Sequence, residues 1–381
     1  MSITFSQIPA DLIVPGGYSE FDTSLAGTLS DQPSILLVGR KTNNGTTPEL
    51  TIRRIQSESQ AKVAFGTDSP LHKMCKTTLD KNYGAEIYAV AVITEGDQAN
   101  SIDLDLLAIA MGDDRYDYIA LAEGTDTANL HKLRNELDRR WHAMTGVESH
   151  TFFIQTGTFA ENAVQTLQLN SSHFTVLPVR GQTEPTHQWL ATLVAIVANH
   201  YGNDPAAPPT DVELPGLVAP VQPWTKREQN DMLHAGQSTF RVVGDKVYLS
   251  YLVTTYQLNA QGEKDTAARD FEVPEALKNF RRLKHYYVMR TYSGYKVAQD
   301  ASAYGAGQKI IDPSELKGFL YDLYLNLFMR DKGWMQDPKT YLDTMLVEID
   351  PSNDDRINVW DRPTLIGQFR IFANKTSYIT K

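Results

Sequence analysis

The stretch HTFFIQTGTFAENAVQTLQLNSSHFTVLPV (150–179) predicts a strand, a helix and a second strand in direct succession. Residues 150–157 and 173–179 are short, continuous apolar runs, which are typical of strands buried on both faces. Between them, residues 158–169 place apolar side chains at helical spacing. A helix between two buried strands favours a parallel pair, so this stretch predicts an α/β layer with a largely parallel sheet.

The same alternation extends towards the N terminus. Further buried strands are predicted at 34–40, 86–93 and 117–123. Helices are predicted at 102–111, at 129–144, where Leu130, Leu133, Leu137 and Trp141 share one face, and at 187–202. We therefore assign residues 31–203 to one α/β domain.

A proline-rich stretch, 204–226, follows this domain. It holds six prolines, and proline removes a backbone donor and fixes φ, so we expect a linker or long loop without regular structure. Residues 227–361 then predict an α+β domain: a hairpin that turns at Gly244-Asp245, two long helices, and a strand pair around the polar turn 350–355.

Both ends of the chain predict extended arms. Residues 1–30 contain Pro9 and Pro15, which bias their predecessors towards extended backbone. Within residues 362–381, Phe369, Ile371 and Ala373 alternate with Gln368 and Arg370 as in a strand. Each arm could lie along its own domain, or it could add a strand to the sheet of a neighbouring subunit.

Composition narrows the classes of function. The 381 residues carry a net charge of −10, which argues against a nucleic-acid-binding protein. Residues 1–225 hold 14 Lys and Arg against 26 Asp and Glu, whereas residues 226–381 hold 22 against 20, so the acidity belongs to the first part. Cys75 is the single cysteine, which excludes an internal disulfide. No apolar stretch has the length of a membrane span, and the first residues do not resemble a signal peptide.

The sequence lacks the usual catalytic and cofactor motifs. There is no phosphate-binding GxxxxGK[ST] and no GxSxG, and the loop Gly305-Ala306-Gly307 has no third glycine of a dinucleotide fingerprint. The histidines lack metal-ligand spacing, and the turn 350–355 lacks the ligand pattern of a calcium loop. We therefore expect no enzyme, no cofactor and no metal. An α/β hydrolase or transferase remains the alternative, because catalytic carboxylates meet in space and not along the chain.

Aromatic residues are concentrated after residue 280. They form either a protein–protein surface or a tyrosine-rich core, and the sequence leaves both open. The set comprises Tyr286, Tyr287, Tyr292, Tyr295, Tyr304, Tyr321, Tyr324 and Phe328.

Several stretches, in order along the chain, resemble the Mu-like tail sheath proteins of contractile phages. The first is IPADLIVPGGYSEFD (8–22). The second is LPGLVAPVQPWTKREQNDMLHAG (214–236) with the strand and turn after it, up to YLVTTYQLNAQGEKD (251–265). The last two are KVAQDASAYGAGQKIIDPSELKGFL (296–320) and LVEIDPSNDDRINVWDRPTLIGQFRIFA (346–373). Residues 95–200 share only the family's general α/β character, and the chain is shorter than the larger members.

This resemblance implies a structural subunit. Sheath subunits stack as hexameric rings in a helical array around a tail tube, and they contract to drive the tube through the host envelope for genome ejection. The implied partners are further copies of the chain, the tail tube protein, and the baseplate and tail terminator proteins. The implied location is the virion tail, after assembly in the bacterial host cytoplasm. The sheath of a phage-derived injection system or tailocin is the alternative within the same design.

The resemblance also implies where the contacts lie. Residues 31–203 become an outer domain and residues 227–361 a tube-facing domain. Linking residues are expected in the two arms, namely Ile8, Val14, Tyr18, Phe21, Phe369, Ile371 and Tyr378. The tube-facing candidates are Lys317, Arg330 and Lys332, on a predicted helix over 315–333.

Overall fold

Six strands form the central sheet of the computed structural model, which describes residues 32–82, 84–97, 101–305 and 307–380. Their order is β2-β3-β1-β4-β5-β6, and every neighbouring pair is parallel except that of β2 with β3. The predicted parallel α/β sheet is therefore confirmed. The strands are β1 (Ser34–Lys41), β2 (Arg53–Arg54), β3 (Glu86–Thr94), β4 (Tyr118–Leu121), β5 (His150–Gln155) and β6 (Phe174–Pro178).

Helices cover both faces of this sheet. Successive side chains of a strand point to opposite faces, so a strand that is apolar throughout needs a packed layer on each side. Ile35 and Leu37 of β1 belong to one buried cluster, whereas Leu36 and Val38 belong to another. The first cluster includes residues of α1 (Glu58–Phe65), α2 (Pro70–Lys81) and α6 (Thr186–Asn203). The second includes residues of α3 (Leu104–Met111), α4 (Thr127–Trp141) and α5 (Phe159–Leu169).

Helices α1 and α2 were not predicted from the sequence. Both are short, and charged or polar residues interrupt their apolar positions. Their start signals were nevertheless present: the hydroxyls of Ser57 and Ser69 accept the backbone N–H groups of Gln60 and His72, and Pro70 occupies the first turn of α2.

The proline-rich stretch contains regular structure, so the prediction of an irregular linker over 204–226 is wrong in this respect. Strand β7 (Glu213–Val218) pairs with β9 (Lys246–Tyr251), which also pairs with β8 (Thr239–Val243). Strand β7 includes Pro215, which is tolerated because β7 is an edge strand with irregular pairing. Helix α7 (Lys226–His234) connects β7 to β8.

The predicted hairpin at Gly244-Asp245 is present, and Gly244 adopts the positive φ that its turn requires. Strand β9 ends at Tyr251 and not near Tyr256, because Thr254 leaves the ladder to bridge Thr175 of β6. The core of the α/β layer extends from Ile35 to Phe271. The limits 31–203, 204–226 and 227–361 remain a prediction, but this packing favours a division nearer to Phe271.

The C-terminal part surrounds a third buried cluster. Its elements are α8 (Glu272–Tyr292), β10 (Lys296–Val297), a 3₁₀ turn (Ala301–Ala303), β11 (Ile310–Ile311), α9 (Pro313–Leu323), a π-helix (Tyr324–Asp331), β12 (Met335–Gln336), α10 (Pro338–Thr344), β13 (Leu346–Asp350), β14 (Asn353–Trp360) and β15 (Thr364–Leu365). This mixture of short strands and helices agrees with the predicted α+β character. No helix in the described ranges is long and apolar enough to cross a membrane.

The predicted helix over 315–333 changes its winding at Tyr324. Its buried residues Leu316, Leu320, Tyr324 and Phe328 recur every four positions, a spacing that drifts around an α-helix of 3.6 residues per turn. The wider π turn from Tyr324 onward keeps Tyr324 and Phe328 in the core.

Of the aromatic residues after 280, only part forms the core. Tyr324 and Phe328 are buried, and the Tyr324 ring stacks on Tyr341 with 3.8 Å between centroids. Tyr304 is exposed, and the others are half-buried.

Candidate linking and tube-facing surfaces

The C-terminal arm begins at a short strand pair. Strand β15 pairs antiparallel with β12, and the Ile366 N–H donates to the Trp334 carbonyl over 3.0 Å. The Tyr324 hydroxyl accepts the Thr364 N–H over 3.1 Å and donates to the Gln336 carbonyl over 2.7 Å. The root of the arm is therefore tied to the buried ring of Tyr324.

Arg370 ties the next part of the arm to the rest of the chain. Its Nη2 lies 2.6 Å from Oε2 of Glu272, and its Nη1 lies 3.2 Å from Oδ2 of Asp270. The same Nη1 donates to the Tyr251 hydroxyl over 3.1 Å, and the guanidinium carbon lies 4.1 Å from the centre of that ring. The approach to Glu272 is an ion pair without the angles of a directed hydrogen bond.

Glu272 is itself held by the α/β layer. It is buried at the start of α8, and its Oε1 accepts the Tyr201 hydroxyl of α6 over 3.0 Å. Burial raises the pKa of the Glu272 carboxyl, and this effect exceeds the lowering by Arg370. Burial lowers the pKa of the Arg370 guanidinium, but Glu272 and the neighbouring acids raise it further, so the net direction is upward.

The predicted linking residues of the C-terminal arm point away from these contacts. Phe369 and Ile371 are 79% and 83% exposed, and Tyr378 is equally open. On the alternate positions, Gln368 donates to the Ala206 carbonyl and Arg370 is half-buried. Residues 366–380 form no strand within the described part of the chain. The alternation predicted from the sequence is seen over residues 368–371, whereas Phe372 is also exposed, and no described strand pairs with this segment.

The predicted linking residues of the N-terminal arm lie outside the described residues. This applies to Ile8, Val14, Tyr18 and Phe21.

Strands β13 and β14 form a hairpin that pairs with no other strand of the described ranges. Val347 and Ile357 pack against the third buried cluster, while Leu346 and Trp360 are exposed. Neither outer edge of the hairpin is hydrogen-bonded to a described strand, and each lies next to apolar side chains, as an edge that takes up a further strand does. The sequence predicted the strand pair but not its open edges.

The three tube-facing candidates have different surroundings. Lys317 is half-buried, and its ammonium donates to the Met345 carbonyl over 2.8 Å. The Arg330 guanidinium is near the surface and donates to Oδ1 of Asn326 over 3.0 Å. The Lys332 ammonium lies 5.9 Å from the centre of the Trp334 ring. Lys332 is exposed and Arg330 donates only to a neutral amide, so these two present positive charge more openly than Lys317 does.

A buried charge network that the sequence did not reveal joins α8 to the amino edge of the central sheet. Asp117, at the start of β4, lies 3.2 Å from Nη1 of Arg282, 3.6 Å from the Lys278 ammonium and 2.8 Å from Nη2 of Arg115. Its Oδ2 also accepts the Ser34 N–H over 2.9 Å. Burial raises the pKa of the Asp117 carboxyl, but the three cations lower it further, so the net direction is downward. Arg281 adds a second contact to the same edge through Glu148.

The positions at which an α/β enzyme or a calcium loop would hold a ligand are occupied by ion pairs and hydrogen bonds within the chain. The strand order reverses between β1 and β4, and α/β proteins bind ligands beyond the carboxyl ends of such strands. There, Arg40 and Glu123 form a 3.0 Å ion pair. In the turn 350–355, hydrogen bonds from Ser352 and Asn358 lower the pKa of Asp350 to about 2. The residues that the structure describes contain no group of three acidic, histidine or cysteine side chains placed to hold a metal ion.

Comparison with known proteins shows what the chain as a whole is similar to. Residues 97–255 match the family model of the phage tail sheath protein central domain. This match covers most of the stretch in which the sequence shared only a general α/β character with that family, and it runs through the proline-rich stretch to the end of the β7-β9-β8 sheet.

The whole chain is also similar to the Mu-like prophage FluMu tail sheath protein of Haemophilus influenzae. The two are 24% identical over 488 aligned positions, which cover 100% of both chains. Because this alignment is longer than the 381 residues of this chain, the relative has segments without a counterpart here.

Solved structures share the fold. The sheath tail protein of Desulfitobacterium hafniense gives a TM-score of 0.57 at 10% identity and covers 92% of this chain and 100% of its own. The helical sheath of the anti-feeding prophage in its contracted state gives 0.60 at 16% identity, with 96% and 99% covered. Residues 97–255 thus match a phage tail sheath central domain, and over its whole length this chain is similar to a prophage tail sheath protein.

Proposed function

We propose that this chain polymerises as stacked hexameric rings around a tail tube and contracts to drive the tube through the host envelope. Its partners are then further copies of itself, the tail tube protein, and the baseplate and tail terminator proteins. The proposed role is structural and non-enzymatic. The virion tail, assembled in the bacterial host cytoplasm, is its proposed location, and the tail of a phage-derived injection system is the alternative.

One observation carries the proposal: a donor arm and an acceptor edge occur in the same chain. Residues 366–380 expose apolar side chains and pair with no described strand, while β13 and β14 leave two ladder edges open beside Leu346 and Trp360. Strand addition satisfies both, because the backbone hydrogen bonds of one chain complete the ladder of another. We propose that arms of neighbouring subunits add to the β13–β14 hairpin.

Deleting either arm tests this linkage. A variant without residues 371–381, and one without residues 1–20, should remain folded monomers that form no tubes, because the donor strand is missing. Circular dichroism and electron microscopy of the purified proteins measure the two properties. Tubes of wild-type appearance from both deletions would refute linkage by the arms.

The tube-facing proposal has a separate test. Replacing Arg330→Glu and Lys332→Glu should weaken assembly on the tail tube without unfolding the subunit, since the charge of an exposed surface is reversed. The matched control is Lys226→Glu with Arg227→Glu, which makes the same charge change on the exposed first turn of α7. Co-sedimentation with tube protein at two salt concentrations measures the effect. Equal losses for both pairs would contradict a specific tube-facing role.

A further inference from the structure

We propose that Arg370 fixes the register of the C-terminal arm and so determines which side chains the arm presents to the neighbouring subunit. This inference rests on the proposed addition of the arm to a neighbouring sheet. It concerns how the arm leaves its own subunit, before any partner is met.

The first step is that Arg370 is held at a defined position. Its side chain is 13% exposed although the residues around it in sequence are open. Its partners come from separate parts of the chain: Tyr251 ends β9, Asp270 precedes α8, and Glu272 begins α8. Because Tyr201 of α6 donates to Glu272, the contact reaches into the core of the α/β layer. A guanidinium held from several sides cannot slide along the body.

The second step is geometric. In an extended chain, successive side chains point to opposite sides, so fixing one residue fixes the facing of its neighbours. Gln368 and Arg370 contact the body, and Phe369 and Ile371 are therefore directed outward. A shift by one residue beyond Arg370 would put Phe372, which is 78% exposed, in the place of Ile371, so that a different set of side chains would meet the partner. Ile366 and Gln368 are bonded to the body before this point and residues 371–380 are exposed, so Arg370 is the last anchor from which the outer part of the arm starts.

Two insertions directly after Arg370 test the inference. One added serine should reverse the facing of the arm beyond this point, whereas two added serines restore it. We expect the single insertion to raise the protein concentration needed for assembly by about tenfold or more, because several cross-strand side-chain pairs are lost together. The double insertion should assemble better than the single one.

The relative effects of the two insertions distinguish a change of register from a change of arm length. If only length mattered, the longer insertion would do more harm, and if the arm slid freely, the two insertions would behave alike. Either of these results would overturn the inference. Both insertions lie beyond the contacts of Arg370, so thermal unfolding of the monomers should match that of the wild type.

Arg370→Met supplies the second measurement, because it keeps an apolar stem against Tyr251 and removes the charge. In this background the single insertion should do no more harm than the double one, and a persisting difference would assign the register to another residue. The deletion of residues 371–381 keeps the two proposals apart. If the deletion variant still assembles, the proposal that the arm adds a strand to a neighbour is contradicted. If it does not assemble but the single and double insertions assemble equally well, only the proposed role of Arg370 is contradicted.

Discussion

The α/β layer and the root of the C-terminal arm each contain a buried carboxylate beside a cation, yet the pKa values of the two carboxyls are shifted in opposite directions. Asp117 in the layer is 1% exposed and meets three cations, which lower its pKa in spite of burial. Glu272 under the arm is 4% exposed and meets Arg370, and there burial outweighs the attraction and raises the pKa. The number of cations around each group accounts for the difference.

The opposite pKa shifts suit the two carboxylates to different roles, Asp117 to stabilising the fold and Glu272 to positioning the arm. An ionised Asp117 favours the folded state, because its pKa is lower there than in the unfolded chain. An ionised Glu272 disfavours the folded state relative to its protonated form, since its pKa is raised. Buried ion pairs that add no stability can still define a geometry. We expect the Glu272–Arg370 pair to be of this kind, because the raised pKa of the Glu272 carboxyl disfavours the ionised pair while the raised pKa of the Arg370 guanidinium favours it.

The largest effect is expected from Asp117→Ala. The change removes the ion-pair partner of Arg282 and one of two partners of the buried Lys278, which keeps Glu275. Breaking a buried pair in this way costs about 3–5 kcal/mol of unfolding free energy. Denaturant unfolding of the purified subunit measures it. The control is Asp113→Ala, which removes an exposed partner of Arg139 and should cost less than about 1 kcal/mol. Similar losses for both variants would contradict the difference between buried and exposed pairs.

A smaller effect is expected at the root of the arm. Arg370→Met leaves Glu272 buried without its cation, but this carboxyl can take up a proton, so we expect a loss of about 1–3 kcal/mol. Adding Glu272→Gln keeps an acceptor for the Tyr201 hydroxyl and removes the charge. The double variant should therefore unfold within about 1 kcal/mol of the wild type, while its assembly remains impaired. A double variant less stable than Arg370→Met alone would show that the pair does contribute stability.

Features of the structure that are encoded by residues close together in sequence were predicted, and features that depend on distant residues were not. Strand β1 was predicted at 34–40 and observed at Ser34–Lys41, because a strand buried on both faces is a continuous apolar run. Strand β7 was missed because its proline argues against a strand, and only the edge position allows it. Apart from Arg115, the partners of Asp117 are far away in sequence, as are those of Arg370, so no spacing could reveal them. The alternation around Arg370 was visible, but which face lies on the body was not.

The pH dependence of stability should distinguish the two carboxylates. The stability that Asp117 contributes is present above its unfolded pKa of about 3.9 and is lost as the pH falls through the lower folded value. For Glu272 the favourable contribution is present below its unfolded pKa of about 4.3 and is lost as the pH rises through the raised folded value. From neutral pH downward, the wild type should gain stability relative to Glu272→Gln, and below about pH 4 it should lose stability relative to Asp117→Asn. Unfolding free energies over a pH series measure both, and parallel curves for the wild type and Glu272→Gln would contradict the raised pKa.

The smallest effect on the monomer is expected from the outward side chains of the arm. Phe369→Ala with Ile371→Ala removes two apolar side chains that are already exposed, so the unfolding free energy should change by less than about 0.5 kcal/mol. Leu37→Ala in β1 is the matched apolar truncation inside the layer and should cost about 2–5 kcal/mol, because it leaves a cavity. The effect on assembly should be large in the arm variant even though its monomer is as stable as the wild type. We expect this variant to form no tubes at concentrations at which the wild type forms them. Such a separation is expected only if Phe369 and Ile371 are buried by another chain, and normal tubes from this variant would place the linking contacts elsewhere.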